Sequence, residues 1–525
     1  MDCFEAIIIG SGPAGTAAAL QLEGRNVAVL DVGFREREAQ PLHGNLYHLR
    51  RTQPDLFENL IGRNFESLHN IHERPISLKL KAPFMRYVMR ESEFLSPLTS
   101  ATFEGVISLA QGGLANAWGA GVYRFNARDL AVFAITAADL DPFYDALTEH
   151  IGVSGSNDDL APYFGSEPRL QEPLRLSPFA AGLLQRYERR KTYVQSRGVT
   201  IGYPRLAVLT RPHHGRPAFA YENLEFFRPY DRAVYNPVYT LDDLVARSRI
   251  RYLSGRLVLH YREFPDRVEV VARNLSSQTI ETFSARNVVL AAGALNTARL
   301  VLQSNGDYDT RLPVLDNPMA CIPLFQWSRI GAALDPYDSS FAQLNVMFDD
   351  PDSGDLFQGT LFGATGPLRS DVIFQAPLTI SANLLWAKYL APAMGLLMMF
   401  YPGKPASCGT ARLRPDNVLE IEYPPREPGH VERRLTSVFR KLGYFTSAGL
   451  WQYPGMGGGL HYAGMLPMST RPDRYQTDPD GRLEGTKRVF VADGAVFPAL
   501  PAKNLTFTIM ANAMRVASGI RGRLE

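Results

Sequence analysis

Residues 4–33 read FEAIIIGSGPAGTAAALQLEGRNVAVLDVG, and this stretch decides the fold. Phe4–Ile9 is a near-continuous apolar run, as expected for a parallel strand that is buried on both faces. A glycine-rich turn follows, then a helix-forming segment at 14–22 and a second apolar strand at Val27–Leu30. This order of strand, turn, helix and strand predicts the βαβ unit that begins a doubly wound parallel sheet.

The turn between the first strand and the helix carries the pattern G-x-G-x-x-G at Gly10, Gly12 and Gly15. The first glycine permits a tight turn, the second lets backbone N–H groups approach a pyrophosphate, and the third lets the helix pack closely on the strand. Asp31 ends the second strand, where a carboxylate suits the 2′-hydroxyl of an adenosine ribose. The pattern therefore predicts a dinucleotide site. It does not separate NAD from FAD, and Asp31 argues against NADP because it would repel the 2′-phosphate.

The composition is that of an ordinary globular protein. The 525 residues contain 55 Lys and Arg against 53 Asp and Glu, so no excess of positive charge attracts nucleic acid. The three cysteines, Cys3, Cys321 and Cys408, are too far apart in sequence for a metal-ligand cluster, which favours a reducing compartment. The chain enters a strand at once, without room for a signal peptide. We therefore expect a cytoplasmic protein.

Two stretches allow more than one interpretation. The apolar stretch 382–401 is interrupted by Lys388 and Pro392 and is too short to span a bilayer. It is either a buried helix or pocket wall, or a patch for peripheral membrane contact. His213 and His214 are adjacent in an arginine-rich segment, but no third metal ligand is evident at a suitable spacing. We predict a polar loop there and no metal site.

Three further stretches extend the dinucleotide pattern. Residues 111–125, QGGLANAWGAGVYRF, form a loop of small residues that can lie close against a flat cofactor. Residues 287–304, NVVLAAGALNTARLVLQS, again predict a strand, a small-residue turn and a helix. Residues 487–520 predict a strand that ends at Asp493, a proline-rich loop and a helix that begins near Asn504.

Together these stretches resemble the glucose–methanol–choline (GMC) family of FAD-dependent oxidoreductases. The loop pattern H-x-x-G-T-x-x-M-G of that family is matched at His461, Gly464 and Met468. The sequence departs from it at Met465, which is usually Thr, and at Ser469, which is usually Gly. These departures leave open how the loop near His461 is shaped and which substrate it accepts.

A second family pattern, P-x-x-N-x-T-x-T, lies about forty residues further along the chain. PAKNLTFT matches it at Pro501, Asn504 and Thr506. The resemblance therefore implies that His461 and Asn504 are the catalytic pair. A neutral imidazole can accept the hydroxyl proton of an alcohol, while an amide holds the same oxygen by a hydrogen bond.

The resemblance also implies the cofactor, its binding residues and its mode of attachment. The expected cofactor is FAD. Its predicted contacts are Gly10, Gly12, Pro13, Ala14, Gly15, Asp31, Gly113, Asn116, Ala117, Trp118, Val258, Ala292, Gly293, Asp493, Gly494, Asn504, Leu505 and Thr506. Family members with covalent flavin carry a histidine in the small-residue loop, where this chain has Ala117. Since 101–125 contains no His or Cys, we expect non-covalent FAD.

The implied fold is mixed α/β, with a Rossmann-like FAD-binding domain and an interleaved substrate-binding domain that has its own sheet. The expected FAD-binding segments are 1–130, 236–305 and 452–525. The expected substrate-binding segments are 131–235 and 306–451.

The implied activity is oxidation of a sugar, a polyol or a bulky, partly apolar alcohol to an aldehyde or ketone by hydride transfer to flavin. Oxygen or a quinone-like compound is the expected electron acceptor, and the oligomeric state is left open. Two alternatives remain at this point. One is a flavin-containing lyase that uses His461 as an acid–base group, and the other is an inactive flavin-binding scaffold.

Overall fold

The N-terminal stretch folds as the sequence pattern predicts. The computed structural model describes residues 3–36, 44–64, 67, 78–222, 232–335, 339–364, 379–425 and 431–524. Within these residues the strands are β1 Phe4–Ile9, β2 Val27–Leu30, β3 Leu98–Thr99, β4 Val199–Gly202, β5 Arg251–Leu253, β6 Arg256–Glu263, β7 Val268–Asn274, β8 Ile280–Leu290, β9 Leu312–Asp316, β10 Met319–Phe325, β11 Leu344–Asp349, β12 Leu356–Gly363, β13 Met394–Phe400, β14 Gly409–Leu413, β15 Leu419–Glu422, β16 Tyr462–Ala463 and β17 Val489–Val491. The α-helices are α1 Pro13–Gln21, α2 Leu46–Thr52, α3 Leu56–Ile61, α4 Leu78–Lys81, α5 Ser92–Leu95, α6 Ala137–Ile151, α7 Ala161–Phe164, α8 Pro178–Arg189, α9 Lys191–Gln195, α10 Pro237–Ala246, α11 Ala294–Ser304, α12 Ile380–Leu390, α13 Val431–Lys441 and α14 Thr506–Leu524.

The first sheet has a parallel core in the order β5-β2-β1-β8-β17. The long strand β8 also continues into an antiparallel meander with β7 and β6. Strands β1 and β2 are buried on both faces, and on one face α1 packs between the sheet and the last helix, α14. The carboxyl ends of the parallel strands therefore meet at one edge of the sheet.

The second sheet is antiparallel in the order β10-β13-β12-β11-β4. Alternate residues point to opposite faces of such a sheet. One face carries buried apolar side chains such as Val346 and Leu397, and these pack with apolar side chains of α8 and α13. The opposite face of β12 and β13 lines a cavity.

The third sheet, in the order β16-β9-β14-β15-β3, ties the C-terminal loop to the middle of the chain. Tyr462, the residue after His461, pairs with Asp316 at the end of β9. The position of His461 therefore depends on a strand contact that is remote in sequence.

These three sheets with surrounding helices confirm the expected mixed α/β fold class. The proposed domain boundaries stay predictions.

The segment 382–401 is not one continuous element. It contains most of α12, a short 3-10 turn at Ala391–Ala393 and then β13. Pro392 sits in this turn, since proline cannot donate the backbone hydrogen bond that would continue the helix. The last helix begins at Thr506, two residues later than expected. Among the described residues no helix is long and apolar enough to cross a membrane.

Candidate active site

A cavity of about 660 Å³ lies at the carboxyl ends of the parallel strands and reaches the second sheet. In open α/β sheets, ligands bind at this edge. The predicted site residues that line the cavity are Gly10, Gly12, Pro13, Ala14, Asp31, Gly113, Ala117, Trp118, Val258, Ala292, Gly293, His461, Asp493, Gly494, Asn504, Leu505 and Thr506. Gly15 and Asn116 do not line it and instead support the residues that do.

The glycines of the fingerprint have different local reasons to be glycine. Gly10 has a positive φ of 101°, and a Cβ there would lie 2.5 Å from the carbonyl oxygen of Ala291. A Cβ at Gly15 would lie 2.0 Å from the carbonyl oxygen of Gly10, so this glycine permits close packing of helix on strand. At Gly12 a Cβ would meet no atom within 4 Å. A side chain at Gly12 would therefore project into open space in the cavity.

Asp31 lies at the end of β2 with its carboxylate buried beside the fingerprint. Its Oδ2 accepts hydrogen bonds from the hydroxyls of Ser11 and Tyr252, the latter at 3.0 Å. Desolvation raises the pKa of Asp31 to about 7, and these hydrogen bonds oppose the rise. Both side-chain hydrogen bonds end on Oδ2, and the backbone N–H groups of Val32 and Gly33 also act to lower the pKa of this carboxyl.

The small-residue loop is braced by Asn116. Its Nδ2 donates to the carbonyl oxygens of Gln111 and Gly113, each at 2.8 Å, and its Oδ1 accepts a hydrogen bond from Asn236 at 2.8 Å. The loop folds as a 3-10 turn over Gly113–Ala117. Asn116 therefore shapes the wall that its smaller neighbours present to the cavity.

Asp493 joins the two turns that follow β8 and β17. Its Oδ2 accepts hydrogen bonds from the Gly293 N–H at 2.9 Å and the Thr297 hydroxyl at 2.5 Å, and its Oδ1 accepts one from Ala495 at 3.0 Å. Burial raises the pKa of Asp493 to about 6 in spite of these donors. The carboxylate thus holds the Gly293 turn against the C-terminal segment.

His461 and Asn504 are in direct contact at the far end of the cavity. The Nδ2 of Asn504 lies 3.2 Å from the Nε2 of His461. Since the amide nitrogen donates, Nε2 accepts, and the neutral ring carries its proton on Nδ1. Desolvation lowers the pKa of His461 to about 4, so the ring is neutral at physiological pH. The imidazole is therefore in the form that can accept a proton at Nε2.

A residue that sequence patterns did not reveal, Asn317, connects the loops of this pair. It is fully buried, and its backbone N–H donates to the carbonyl oxygen of His461 at 3.2 Å. Its side-chain Nδ2 donates to the carbonyl oxygens of Tyr401 at 2.8 Å, Pro501 at 3.1 Å and Leu500 at 3.4 Å. Asn317 lies in no motif, and no sequence signal could have assigned it this role.

The loop before Asn504 is held by a buried ion pair that the sequence also did not reveal. Lys503, the preceding residue, donates to the carboxylate of Asp129, and the two side chains are 1% and 4% exposed. Its Nζ also donates to the carbonyl oxygens of Tyr163 at 2.7 Å and Arg124 at 3.4 Å. Desolvation lowers the pKa of Lys503, whereas Asp129 raises it. The pair fixes the backbone from which Asn504 projects.

The adjacent histidines lie away from this cavity. Glu149, which is remote in sequence, brings a ligand-capable oxygen to them, and candidate ligand atoms of Glu149, His213 and His214 lie within 4.8 Å of one another. One nitrogen of His213 is already hydrogen-bonded to the carbonyl oxygen of Glu149 at 2.6 Å. The third group that the sequence did not show is thus supplied by the end of α6.

The chain is similar in sequence to known proteins. A model of the GMC oxidoreductase family matches residues 449–513, which contain both His461 and Asn504. The chain is 24% identical over 413 residues to 6'''-hydroxyparomomycin C oxidase of Streptomyces lividus, and the match covers 74% of this chain and 72% of that protein. It is 40% identical over 58 residues to an uncharacterized GMC-type oxidoreductase of Sinorhizobium fredii (strain NBRC 101917 / NGR234), with 11% and 12% of the two chains covered.

The fold is also that of a solved structure, pyridoxine 4-oxidase from Mesorbium loti. The TM-score is 0.57 over 99% of both chains at 14% sequence identity, which shows a shared fold. The resemblance seen in the sequence is confirmed, and the protein is an oxidoreductase enzyme. The C-terminal part of the chain thus matches the GMC oxidoreductases, a family of flavoproteins, and the chain as a whole is similar to them.

Proposed function

We propose that the protein oxidises an alcohol to an aldehyde or ketone with FAD as its cofactor. The observation that carries this proposal is the contact between His461 and Asn504 in the same cavity that the glycine fingerprint lines. A proton acceptor and a hydrogen-bond donor thus meet in the cavity that the dinucleotide fingerprint also lines. This is the arrangement that alcohol oxidation requires of the protein.

The described residues fit bound FAD. The open space beyond the Gly12 backbone suits a pyrophosphate, and Asp31 lies where a ribose hydroxyl would be bound. Thr506 lines the cavity at the start of the 19-residue helix α14, whose positive end favours negative charge on the cofactor. When bound, FAD supplies the acceptor for the hydride that leaves the substrate carbon.

We propose that FAD is bound without a covalent link. Ala117 lines the cavity at the loop position where a histidine would be needed. Among the described residues that line the cavity, His461 is the one histidine, and none is a cysteine. We expect acid precipitation to release the flavin into the supernatant, and flavin colour in the pellet would contradict this assignment.

The proton that leaves the substrate hydroxyl is taken by His461 at Nε2. A substrate oxygen that enters between the two side chains takes over the hydrogen bond from Asn504 Nδ2, which frees the Nε2 lone pair of His461 to accept the proton. Because the pKa of His461 is low, the ring is a weak base, and proton transfer becomes favourable only as the carbonyl forms. The substrate thus loses a proton to His461 and a hydride to the cofactor, and a C=O bond results. The relative that is similar over most of the chain is named an oxidase, which favours oxygen as the final electron acceptor.

The test is anaerobic mixing of the holoenzyme with a panel of alcohols, followed by the flavin absorbance. We expect bleaching in the wild type and a rate about 10²- to 10⁴-fold lower in His461→Ala, because a positioned general base contributes about that factor. His150→Ala is the matched control. Its pKa is likewise lowered to about 4 by burial, but it contacts Thr240 instead of the cavity.

Each other outcome overturns the proposal in a recognisable way. Product formation with a flavin that never bleaches would indicate a lyase. A flavin that no alcohol bleaches would indicate a binding scaffold. Equal loss of activity in the His461 and His150 variants would show a general structural effect and would remove His461 from the chemistry.

A further inference from the structure

The cavity face of the second sheet changes from polar to apolar across neighbouring strands. In one row across the sheet, Asn345 of β11 pairs with Thr360 of β12, Thr360 with Met398 of β13, and Met398 with Cys321 of β10. Residues that are paired in this way point to the same face. One half of the face therefore carries an amide and a hydroxyl, and the other half carries sulfur-containing side chains.

The polar half is a hydrogen-bonded group centred on Asn345, which is fully buried. Its Nδ2 donates to the hydroxyl oxygen of Tyr123 at 2.7 Å, and its Oδ1 accepts a hydrogen bond from the Thr360 hydroxyl at 3.3 Å. Tyr123 and Thr360 both line the cavity. Burial raises the pKa of Tyr123, so its hydroxyl keeps its proton. Tyr123 is thus left with a proton to donate and Thr360 with lone pairs to accept.

The polar half lies nearer to Asn504, and the apolar half lies nearer to His461. A Cβ at Gly121 would lie 3.1 Å from the Oδ1 of Asn504 and 3.0 Å from the Cε2 of Tyr123, which makes Tyr123 a neighbour of Asn504. The ring of Phe400 stacks on His461 with a centroid distance of 4.9 Å and an interplanar angle of 28°. A bound alcohol would therefore have a polar wall near Asn504 and an apolar wall near His461.

The charged side chains that line the cavity among the described residues belong to the first sheet and its connections, and none belongs to the second sheet. Among the described residues that line the cavity, the carboxylates are Asp31 and Asp493, which follow β2 and β17. The lining arginines lie on β6, β7 and α11, beside Val258, and are Arg256, Arg273 and Arg299. A cationic substrate at the His461 end would lose hydration without an opposite charge to replace it.

We propose that the substrate is an uncharged alcohol with an apolar body and one further hydroxyl group, which Tyr123 and Thr360 bind together. This inference rests on the oxidation proposed above. Tyr123 donates to the second hydroxyl and Thr360 accepts from it, while Met398 and Phe400 pack against the apolar body. A polyol would leave its other hydroxyls against this apolar wall without partners.

The first test uses the wild-type holoenzyme and four probes. These are benzyl alcohol, a hydroxybenzyl alcohol, para-(aminomethyl)benzyl alcohol and glucose. The hydroxybenzyl alcohol is the meta or para isomer, whichever has the higher kcat/KM. We expect kcat/KM to be about fivefold higher for the hydroxylated probe than for benzyl alcohol, since one added hydrogen bond contributes about that much. We expect the ammonium probe to be at least about a hundredfold poorer than benzyl alcohol, because its charge has no partner. A preference for glucose or for the ammonium probe overturns the proposal.

The second test assigns the preference to side chains. Tyr123→Phe and Thr360→Val should each lower the ratio of kcat/KM for the hydroxylated probe to kcat/KM for benzyl alcohol by about fivefold. Each substitution also takes one hydrogen-bond partner from Asn345, Tyr123→Phe from its Nδ2 and Thr360→Val from its Oδ1, so the two variants must agree. Thr282→Val on β8, outside the cavity lining, is the matched control and should change neither value. Equal losses for both probes would overturn the assignment.

A binding measurement separates this inference from the proposed oxidation. Isothermal titration calorimetry of the holoenzyme compares benzamide with its hydroxylated and aminomethyl derivatives, which bind without turnover. In one outcome, no alcohol bleaches the flavin but the hydroxylated amide binds about fivefold tighter than benzamide. The pocket assignment then stands, and the proposal of alcohol oxidation is refuted. If alcohols bleach the flavin but the amides show no such order, the pocket assignment fails alone.

Discussion

Replacement of Asn317 by alanine removes the side chain that joins the loops of His461 and Asn504. Its Nδ2 makes two hydrogen bonds of good length, 2.8 Å to Tyr401 and 3.1 Å to Pro501, inside the protein. A hydrogen bond of this kind contributes about 1 kcal/mol net, and the gap left by the amide costs about as much again. We therefore expect Asn317→Ala to lower the free energy of unfolding by about 2–4 kcal/mol, measured by urea denaturation of the holoenzyme.

The same substitution should slow the chemistry more than it weakens cofactor binding. The loops of His461 and Asn504 would lose their shared tether, and a small displacement of reacting groups costs about tenfold to a hundredfold in rate. Stopped-flow measurement of flavin reduction by a saturating alcohol tests this, with the flavin content of the purified protein measured in parallel. We expect the flavin content to stay near that of the wild type, because Asn317 is not among the residues that line the cavity.

Asn305→Ala provides a matched control for this substitution. Asn305 is exposed at the end of α11, and its Nδ2 donates to the Val301 carbonyl oxygen at 2.8 Å. Its loss should change stability by no more than about 0.5 kcal/mol and leave the rate unchanged. The reasoning is refuted if Asn317→Ala retains the wild-type rate of flavin reduction. Lower stability at an unchanged rate would mean that Asn317 supports the fold without positioning the pair.

Further predictions concern the base, the cofactor site and the buried ion pair. Because neutral His461 is the base and its pKa is about 4, kcat/KM should fall only as the pH approaches about 4, and a limb at about 6.5 in the pH profile would contradict this. Gly12 has an ordinary φ of −65° and open space at its Cβ, so Gly12→Val should fold but lose FAD, as absorbance would show. Gly519→Ala, inside α14, should retain FAD and add about 0.5–1 kcal/mol of stability; equal FAD content in both variants would argue against the fingerprint site. Lys503→Met should lower the free energy of unfolding, measured by urea denaturation, by about 3–5 kcal/mol because Asp129 stays buried without its partner. Adding Asp129→Asn in the same chain should restore part of this loss. No recovery in that double variant would show that the loss does not arise from the unpaired charge.

Local features of the fold could be predicted because they follow from neighbouring residues. The apolar runs of β1 and β2 and the spacing of Gly10, Gly12 and Gly15 depend on backbone conformation within a few residues, and the structure has the strands and the helix at the predicted places. The secondary structure of the stretch 382–401 could not be predicted in the same way, since a short apolar run is compatible with either a helix or a strand. Pro392 separates the two, but the partner strands, β10 and β12, are what make β13 a strand.

The walls of the site could not be predicted, because their partners are distant in the chain. Tyr123 and Asn345 are 222 residues apart and Lys503 and Asp129 are 374 apart, yet each pair is in hydrogen-bond contact. No periodicity or motif records such a pairing. It arises only when separate strands and loops are brought to the same cavity.

By itself, the sequence determined the βαβ beginning of the parallel sheet, the fingerprint and the resemblance to the GMC oxidoreductases. It also nominated His461 and Asn504 through short patterns, a role that stays a prediction until the variants are measured. The tertiary structure alone decided that these two side chains touch, that Asn317 connects their loops, and that polar and apolar side chains lie side by side on the sheet face next to them. The physical reason is that backbone conformation and periodicity are local properties of a chain, whereas desolvation and side-chain hydrogen bonding depend on which distant segments pack together.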